Sequence, residues 1–450
     1  MNRTVSVNNG IIVTMNDKRE VFSGSILIEN NRIVQVEKGV SRLKADEEID
    51  ASGSIVTPGF ICSHTHLYGI LLRGAPLKLK PPSDFTQNLQ RIWWPMDETM
   101  NGDDAYISAL TASLELLRSG TTTFADTFSG PNAIKGVLDM IEKGVLEAGI
   151  RGFISFEATQ RRTDEEGFEG LKENERYIKK SKDEKMNGMV SIHASFTVHD
   201  DLLKAGKELS DKHSVPITIH TSEGKWDLYH NLERYGKRTF ERLYDLGILG
   251  KRTLVAHAVQ VNEDELRLIS STGTSVAHNA LSNMLNAVGI APVPEMLGMG
   301  INVSIGNDGY IFDTFENIRA TYLIHKVNRL DPRVMSFQQV LEMSTVNAAH
   351  ALGIGDRLGS IEAGKLADIV IIRPSVRPTP LNSGSAYGYL VNSVNGKDVD
   401  AVIVNGEVLL KGGRFVKVNT EEVNKKAEKM VADYWRRLEK ASEKVEVLGL

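Results

Sequence analysis

At 450 residues the chain exceeds what one small core can organise, so a large domain with additions is expected. Hydrophobic residues make up 41% and charged residues 25%, ordinary for a soluble globular fold, and a net charge of −5 with dispersed lysines and arginines argues against a general polyanion binder. The single cysteine, Cys62, excludes internal disulfides and multi-cysteine zinc sites; with no apolar segment of signal-peptide or membrane-span length, the expected setting is cytoplasmic, with no nucleic acid and no membrane as partner.

Residues 1–56 alternate apolar and polar positions like short strands joined by tight turns. Ser25-Ile26-Leu27-Ile28-Glu29 and Arg32-Ile33-Val34-Gln35-Val36 flank Asn30-Asn31, which is hairpin chemistry because asparagine tolerates positive φ. From residue 57 to 358 the pattern changes. Eight short apolar runs (60–64, 121–126, 152–157, 190–195, 216–220, 253–257, 275–278 and 302–306) alternate with segments of helical period (104–119, 132–148, 200–213, 225–246, 263–270 and 314–327). Strand–helix alternation implies parallel strands with helical crossovers, and eight such units predict an α/β fold, a (β/α)8 TIM-type barrel. A doubly wound open sheet is the alternative. It requires a glycine-rich phosphate turn after an early strand, and Gly353-Ile354-Gly355-Asp356-Arg357-Leu358-Gly359 neither follows a strand nor keeps the spacing. Residues 359–450 return to β-like runs at 366–372, 399–404 and 407–410, with turns at Asn405-Gly406 and Gly412-Gly413. A helical stretch over 419–442 follows, with Asn419 and Glu422 placed as a reciprocal cap. The two ends, 1–56 and 359–450, are expected to join in one small β-sandwich beside the barrel.

The run Pro58-Gly59-Phe60-Ile61-Cys62-Ser63-His64-Thr65-His66 ends in two histidines spaced i and i+2, which project from one face of a strand and suit a divalent metal. An isolated His-x-His equally suits a strand end with satisfied hydrogen bonds, so the other runs decide. Barrel active sites lie at the C-terminal ends of the strands. There stand His193, His220, His257 and His278, and Asp308 in Gly306-Asn307-Asp308-Gly309. Singly, His193 or His278 reads as a hydrogen-bonded core residue and Asp308 as turn chemistry. Together with His64 and His66 they point to a metal site. His199, His213, His230, His325 and His350 fall in helices or loops and are left unassigned.

The order His64-x-His66, His220, His257, Asp308 resembles the amidohydrolase superfamily in its mononuclear aminohydrolase branch. His220-x-x-Glu223 is similar to the strand-five motif of cytosine-, guanine- and methylthioadenosine/adenosylhomocysteine-type deaminases. Residues 290–297 and 359–368 also match family segments. Trp93-Trp94, Phe196-Thr197-Val198 and residues 278–286 most resemble the SsnA-type aminohydrolases. One departure is Asn307, where the family usually has threonine.

The resemblance implies that His64, His66, His220 and Asp308 hold one divalent metal ion, Zn²⁺ or else Fe²⁺. It implies that Asp308 takes a proton from the attacking water, that Glu223 delivers protons to a ring nitrogen and the departing ammonia, and that His257 hydrogen-bonds the attacking hydroxide. A second metal is not expected, because residues 189–196 offer His193 where binuclear relatives carry a modified lysine. The equivalent of His193 contacts substrate in deaminase relatives. Trp93, Trp94, Tyr68 and Asn279 are further substrate-binding candidates, the tryptophans by stacking on a heteroaromatic ring or merely by packing. The implied activity is hydrolytic deamination of a purine- or pyrimidine-like small molecule. The alternatives are a chlorohydrolase or ring-opening hydrolysis at the same site, and a non-catalytic scaffold. The family also implies a homo-oligomer, a dimer or larger. Loops 67–94 and 159–170 are expected to shape the pocket, with Arg73, Arg161 and Arg162 meeting an anionic group or facing water.

Overall fold

Eight parallel strands form at Phe60–Thr65, Thr121–Phe128, Arg151–Ala158, Val190–Ala194, Ile217–Thr221, Thr253–His257, Ser275–His278 and Val303–Ile305, each overlapping one predicted apolar run. The computed structural model describes residues 3–39, 42–77, 79–181 and 183–447, with only the backbone from 442 onward. Each of these eight strands pairs with its neighbour in chain order. The gap between the first and eighth is spanned by Asn307 N–H donating to the His64 carbonyl (3.0 Å) and His66 N–H donating to the Asp308 carbonyl (3.0 Å). The chain therefore folds as the expected α/β barrel, and its closing seam runs through three of the predicted metal ligands.

Strand alternation sorts the side chains into two layers. Ile61, Ala125, Phe153, Leu254 and Ala277 cluster together, joined by Ala348, Ala349 and Leu352 from the helix Val346–Ala351 and its end. Phe124, Ile154, Phe156, Ile192, Ile217, Ile219, Val255 and Val276 belong instead to the large apolar core that also holds residues of the surrounding helices. The first layer fills the barrel and the second faces the helices.

The helices run at Gly102–Arg118, Val137–Ala148, Asp164–Lys180, Asp200–His213, Glu263–Thr272 and Thr314–Arg329. Two predicted helices change extent, both at a glycine in the left-handed region. The 225–246 segment breaks at Gly236 (φ 64°) into Lys225–Tyr235 and Thr239–Asp245, and the 132–148 segment begins only after Gly136 (φ 79°). The expected pocket loop 159–170 is cut short, because the Thr163 side chain caps a helix that starts at Asp164.

Both ends of the chain meet in a small sheet domain, as expected. Its strands follow the order Arg414–Phe415, Glu407–Lys411, Val399–Val404, Ile369–Ile372, Ile55–Pro58, Thr4–Val13, Val21–Glu29 and Arg32–Lys38, with Glu47–Asp50 alongside Thr4–Val13. The two termini join where Ile55–Pro58 pairs antiparallel with Ile369–Ile372. Val7, Ile26, Ile28, Val56, Ile369, Ile371 and Ile403 make a core of its own. The predicted turns carry the required geometry, with Asn30 at φ 54° and Asn405-Gly406 at 51° and 75°.

The chain ends in a helix, Thr420–Val447. Asn419 accepts from Glu421 N–H and Glu422 N–H, and its amide donates to the Glu422 carboxylate at 2.8 Å, so the exchange with Glu422 runs side chain to side chain. Trp435 Nε1 donates to the Leu71 carbonyl (2.6 Å) and Arg437 pairs with Asp104 (2.7 Å), which fastens this helix over the loop that follows barrel strand one. Among the described residues no helix is long and apolar enough to cross a membrane.

Candidate active site

Alternation places His193 with Ser191 and His220 with Thr218, on the interior side of strands four and five. His278 follows Val276 instead and meets His325 on the helix side, their Nε2 atoms 3.2 Å apart. His257 breaks the pattern. Leu254 faces the interior and Val255 the helices, so strict alternation would send His257 outward. Its φ of 76° turns the backbone there, and the ring lies 5.5 Å from that of His220. Ser222 (φ 52°) and Asp308 (φ 59°) are also left-handed. Such backbones cost free energy and persist where surrounding contacts over-determine them, as at functional sites.

Two triads of ligand-type atoms converge, each within 4.8 Å: His64, His66 and His220 in one, Glu223, His257 and Asp308 in the other. Their hydrogen bonds settle the tautomers. His66 Nδ1 lies 2.8 Å from the Thr127 carbonyl and His220 Nδ1 2.7 Å from the His193 carbonyl. A carbonyl only accepts, so both Nδ1 atoms carry the proton and both Nε2 atoms are left as lone pairs. Those lone pairs face each other at 3.1 Å, with Asp308 Oδ1 3.2 Å from His66 Nε2. Among the described residues, neither ring nitrogen of buried His64 has a hydrogen-bond partner. Neutral imidazoles aimed at one another across a carboxylate repel unless a cation sits between them, so this donor set fits a divalent metal.

The surroundings tune each group. Burial, then the neighbouring His66 and His257, pushes His220 down to about 3, which keeps it neutral. Burial also pushes Asp308 up, but His66 and His257 outweigh it and hold the carboxylate below its usual range, helped by the Ser282 hydroxyl that donates to it. Burial and then Asp308 push Glu223 well above the usual carboxyl range, which favours its protonated form. Its Oε2 lies 3.5 Å from His257 Nε2, while His257 Nδ1 lies 2.8 Å from Asn283 Oδ1.

A cavity opens over these groups, lined by His66, His193, His220, Glu223 and Asp308, with Tyr68, Phe85, Trp93 and Trp94 from the loop after strand one. Of the proposed substrate contacts, His193, Trp93, Trp94 and Tyr68 thus reach the cavity. Trp93 Nε1 donates to the Tyr310 hydroxyl (2.7 Å) and Tyr68 donates to Asp97 (3.1 Å), so their edges are committed while their faces remain. Asn279 lies behind His257, its amide 3.5 Å from that ring, and does not line the cavity. Arg73 pairs with Glu115 (2.6 Å) away from it. Arg161 pairs with Asp97 (2.7 Å) at its wall and Arg162 with Glu166 (2.6 Å). The side-chain amide and carbonyl of Asn307 are buried without partners; its backbone N–H holds the seam.

Sequence reasoning missed three cavity carboxylates: Asp97, Glu157 and Asp227. Glu157 was within reach, since it ends a predicted run and shares parity with Phe153 and Ser155. Asp97 and Asp227 sit on the helices Trp94–Thr99 and Lys225–Tyr235, which no strand-end rule finds.

The amidohydrolase family profile matches residues 55–409. A 5'-deoxyadenosine deaminase from Methanobrevibacter smithii is 32% identical over 442 residues, covering 96% of this chain and 98% of the relative. A 5-methylthioadenosine/S-adenosylhomocysteine deaminase from Thermococcus kodakarensis is 35% identical over 418 residues, covering 90% and 94%. The crystal structure of an adenosine deaminase from Xanthomonas campestris with bound zinc superposes with a TM-score of 0.86 at 24% identity, covering 96% and 98%.

Proposed function

The chain belongs to the amidohydrolase family, and from that premise we propose that it is a metal-dependent hydrolytic deaminase of an amino-bearing N-heterocycle of purine or pyrimidine type. The observation that carries the reading is the pair of facing lone pairs, His66 Nε2 and His220 Nε2, beside a buried carboxylate. The relatives named for adenosine-type substrates support the ring class.

His64, His66, His220 and Asp308 would hold one divalent ion, zinc first. When bound, such an ion supplies a nucleophile at neutral pH by lowering the pKa of water from about 15.7 to ~7. Asp308, held ionised, accepts the proton that the water gives up as it adds to the amino-bearing ring carbon. Glu223, held protonated, donates to the adjacent ring nitrogen. Asp308's proton then leaves with the amine as ammonia, while the added hydroxyl gives its remaining proton to Glu223, which leaves the ring carbon as a carbonyl and both carboxyl groups reset. His257 gives its Nδ1 proton to Asn283, so Nε2 accepts a hydrogen bond from the attacking water and orients it. Trp93 and Trp94 wall the ring and exclude bulk water. Residues 1–56 and 359–450 frame the barrel, and the chain works on a small molecule as a homo-oligomer in the cytoplasm.

The test is ammonia release from a panel of aminopurines and aminopyrimidines by zinc-loaded protein, beside its Glu223→Gln variant. The variant is expected to keep its metal and to lose about 10²- to 10⁴-fold in kcat. Unchanged turnover in the variant, or no ammonia from any ring, sinks the reading.

A further inference from the structure

Four of the five carboxylates around the cavity are accounted for. Asp308 and Glu223 serve the chemistry. Asp97 accepts from Tyr68, Ser129 and Arg161. Asp227 accepts from the Ser195 hydroxyl and from Ser222 N–H. Glu157 is the exception. It is the penultimate residue of barrel strand three, on the interior side, is 2% exposed, and its Oε1 has no hydrogen-bond partner among the described residues. His220 Nδ1 lies 3.3 Å away but spends its hydrogen on the His193 carbonyl at 2.7 Å. A buried carboxyl left unpaired costs free energy that an arriving donor can recover.

The neighbouring strand supplies a second acceptor. Thr197 donates its hydroxyl hydrogen to the Ala194 carbonyl (3.0 Å), so the 2.8 Å contact with His193 Nδ1 is a donation from the ring. His193 Nε2 is then a lone pair. Ser191 pairs with Glu157 across the two strands, so His193 stands one pleat further along on the same face, and both line the cavity. We propose that Glu157 is a specificity-determining residue that accepts a hydrogen bond from a second N–H donor of the substrate. The preferred substrate class is therefore a guanidine-like diaminoheterocycle, with a second amino group besides the amine that leaves, rather than a ring with one amino group.

This inference rests on the deaminase reading for its choice of ring, but its test reads binding and not turnover. Full-length zinc-loaded protein and its Glu157→Gln and Glu157→Ala variants are titrated with adenine and with diaminopurine, which differ by one amino group, and metal per chain is measured alongside. Wild type should bind diaminopurine about 10-fold more tightly; Glu157→Ala should lose most of that preference and Glu157→Gln, which keeps an amide oxygen as acceptor, only part of it, with metal content unchanged. Equal or weaker binding of diaminopurine by wild type, binding of neither ring, or a preference untouched in both variants overturns the proposal. So does a preference lost together with the metal, which would make Glu157 a support for His220. Absence of ammonia release across the panel sinks the deaminase reading instead and leaves this binding ratio to stand or fall alone.

Discussion

At the scale of single residues the site is governed by which buried groups keep their charge. Asp126, two residues before the end of barrel strand two, accepts from Leu67 N–H at 2.8 Å while its other oxygen has no partner among the described residues. Burial pushes this carboxyl from 3.8 up to about 7. A carboxyl raised in the folded state binds its proton more tightly there than in the unfolded chain. Its stabilisation is therefore complete below the unfolded value and is lost as pH rises from about 4 through about 7. Asp126→Asn keeps the acceptor for Leu67 and cannot ionise. Its unfolding free energy should match wild type near pH 4 and exceed it by about pH 8, as read by urea titration at the two values. Parallel pH dependence in the two proteins would refute this. Glu223 obeys the same sign in catalysis: it donates only below its raised pKa, so the alkaline limb of kcat/KM should disappear in Glu223→Gln.

At the scale of elements the decisive feature is the seam between the first and last strands. A Cβ on Gly306 would sit 2.2 Å from Asn279 Oδ1 and 2.8 Å from the His64 carbonyl, so the position has no room for a side chain. Gly306→Ala should push the strands apart and lower zinc affinity about 10- to 100-fold, the range seen when the groups supporting metal ligands are disturbed. Zinc retained through dialysis against a graded chelator would measure it, and wild-type retention would show that the seam does not set ligand geometry. The strands themselves were legible from sequence, because eight buried apolar runs have few other uses. Part of the site was legible too, in the histidines that end those runs. Parity would have refined it further: Val276 and His278 share the helix-facing side, which separates His278 from His193 and His220. What no pattern shows is His257, whose direction depends on a left-handed backbone, and Asp97 and Asp227, which reach the cavity from helices outside the strand framework.

At the scale of the whole molecule the barrel and the small sheet domain are locked together at the end opposite the site. Arg151 begins barrel strand three, and Asp368 immediately precedes the strand Ile369–Ile372 of the sheet domain. They pair at 3.1 Å with side chains only 2% exposed. Arg151 also donates to the Glu184 carbonyl (2.7 Å) and to the Asn405 side chain (3.2 Å), while the Asp368 side chain accepts from Asn405 N–H (2.8 Å) and its backbone carbonyl accepts from Gly59 N–H (2.9 Å). One ion pair thus ties the start of strand three to the lead-in of strand one and to the turn at Asn405-Gly406. A buried pair gains little over an apolar replacement, but removing one partner strands the other charge at a cost of roughly 3–5 kcal/mol. Asp368→Ala should therefore lower the unfolding midpoint sharply. Because His64, His66 and Asp308 are held by the seam at the other end of the barrel, kcat per folded, metal-loaded molecule should change little. Chemical denaturation and active-site-normalised kinetics on the same preparation read the two separately. A variant as stable as wild type would mean that the sheet domain is held by its apolar contacts alone; a variant stable but inactive would mean that this end of the barrel reaches the site after all.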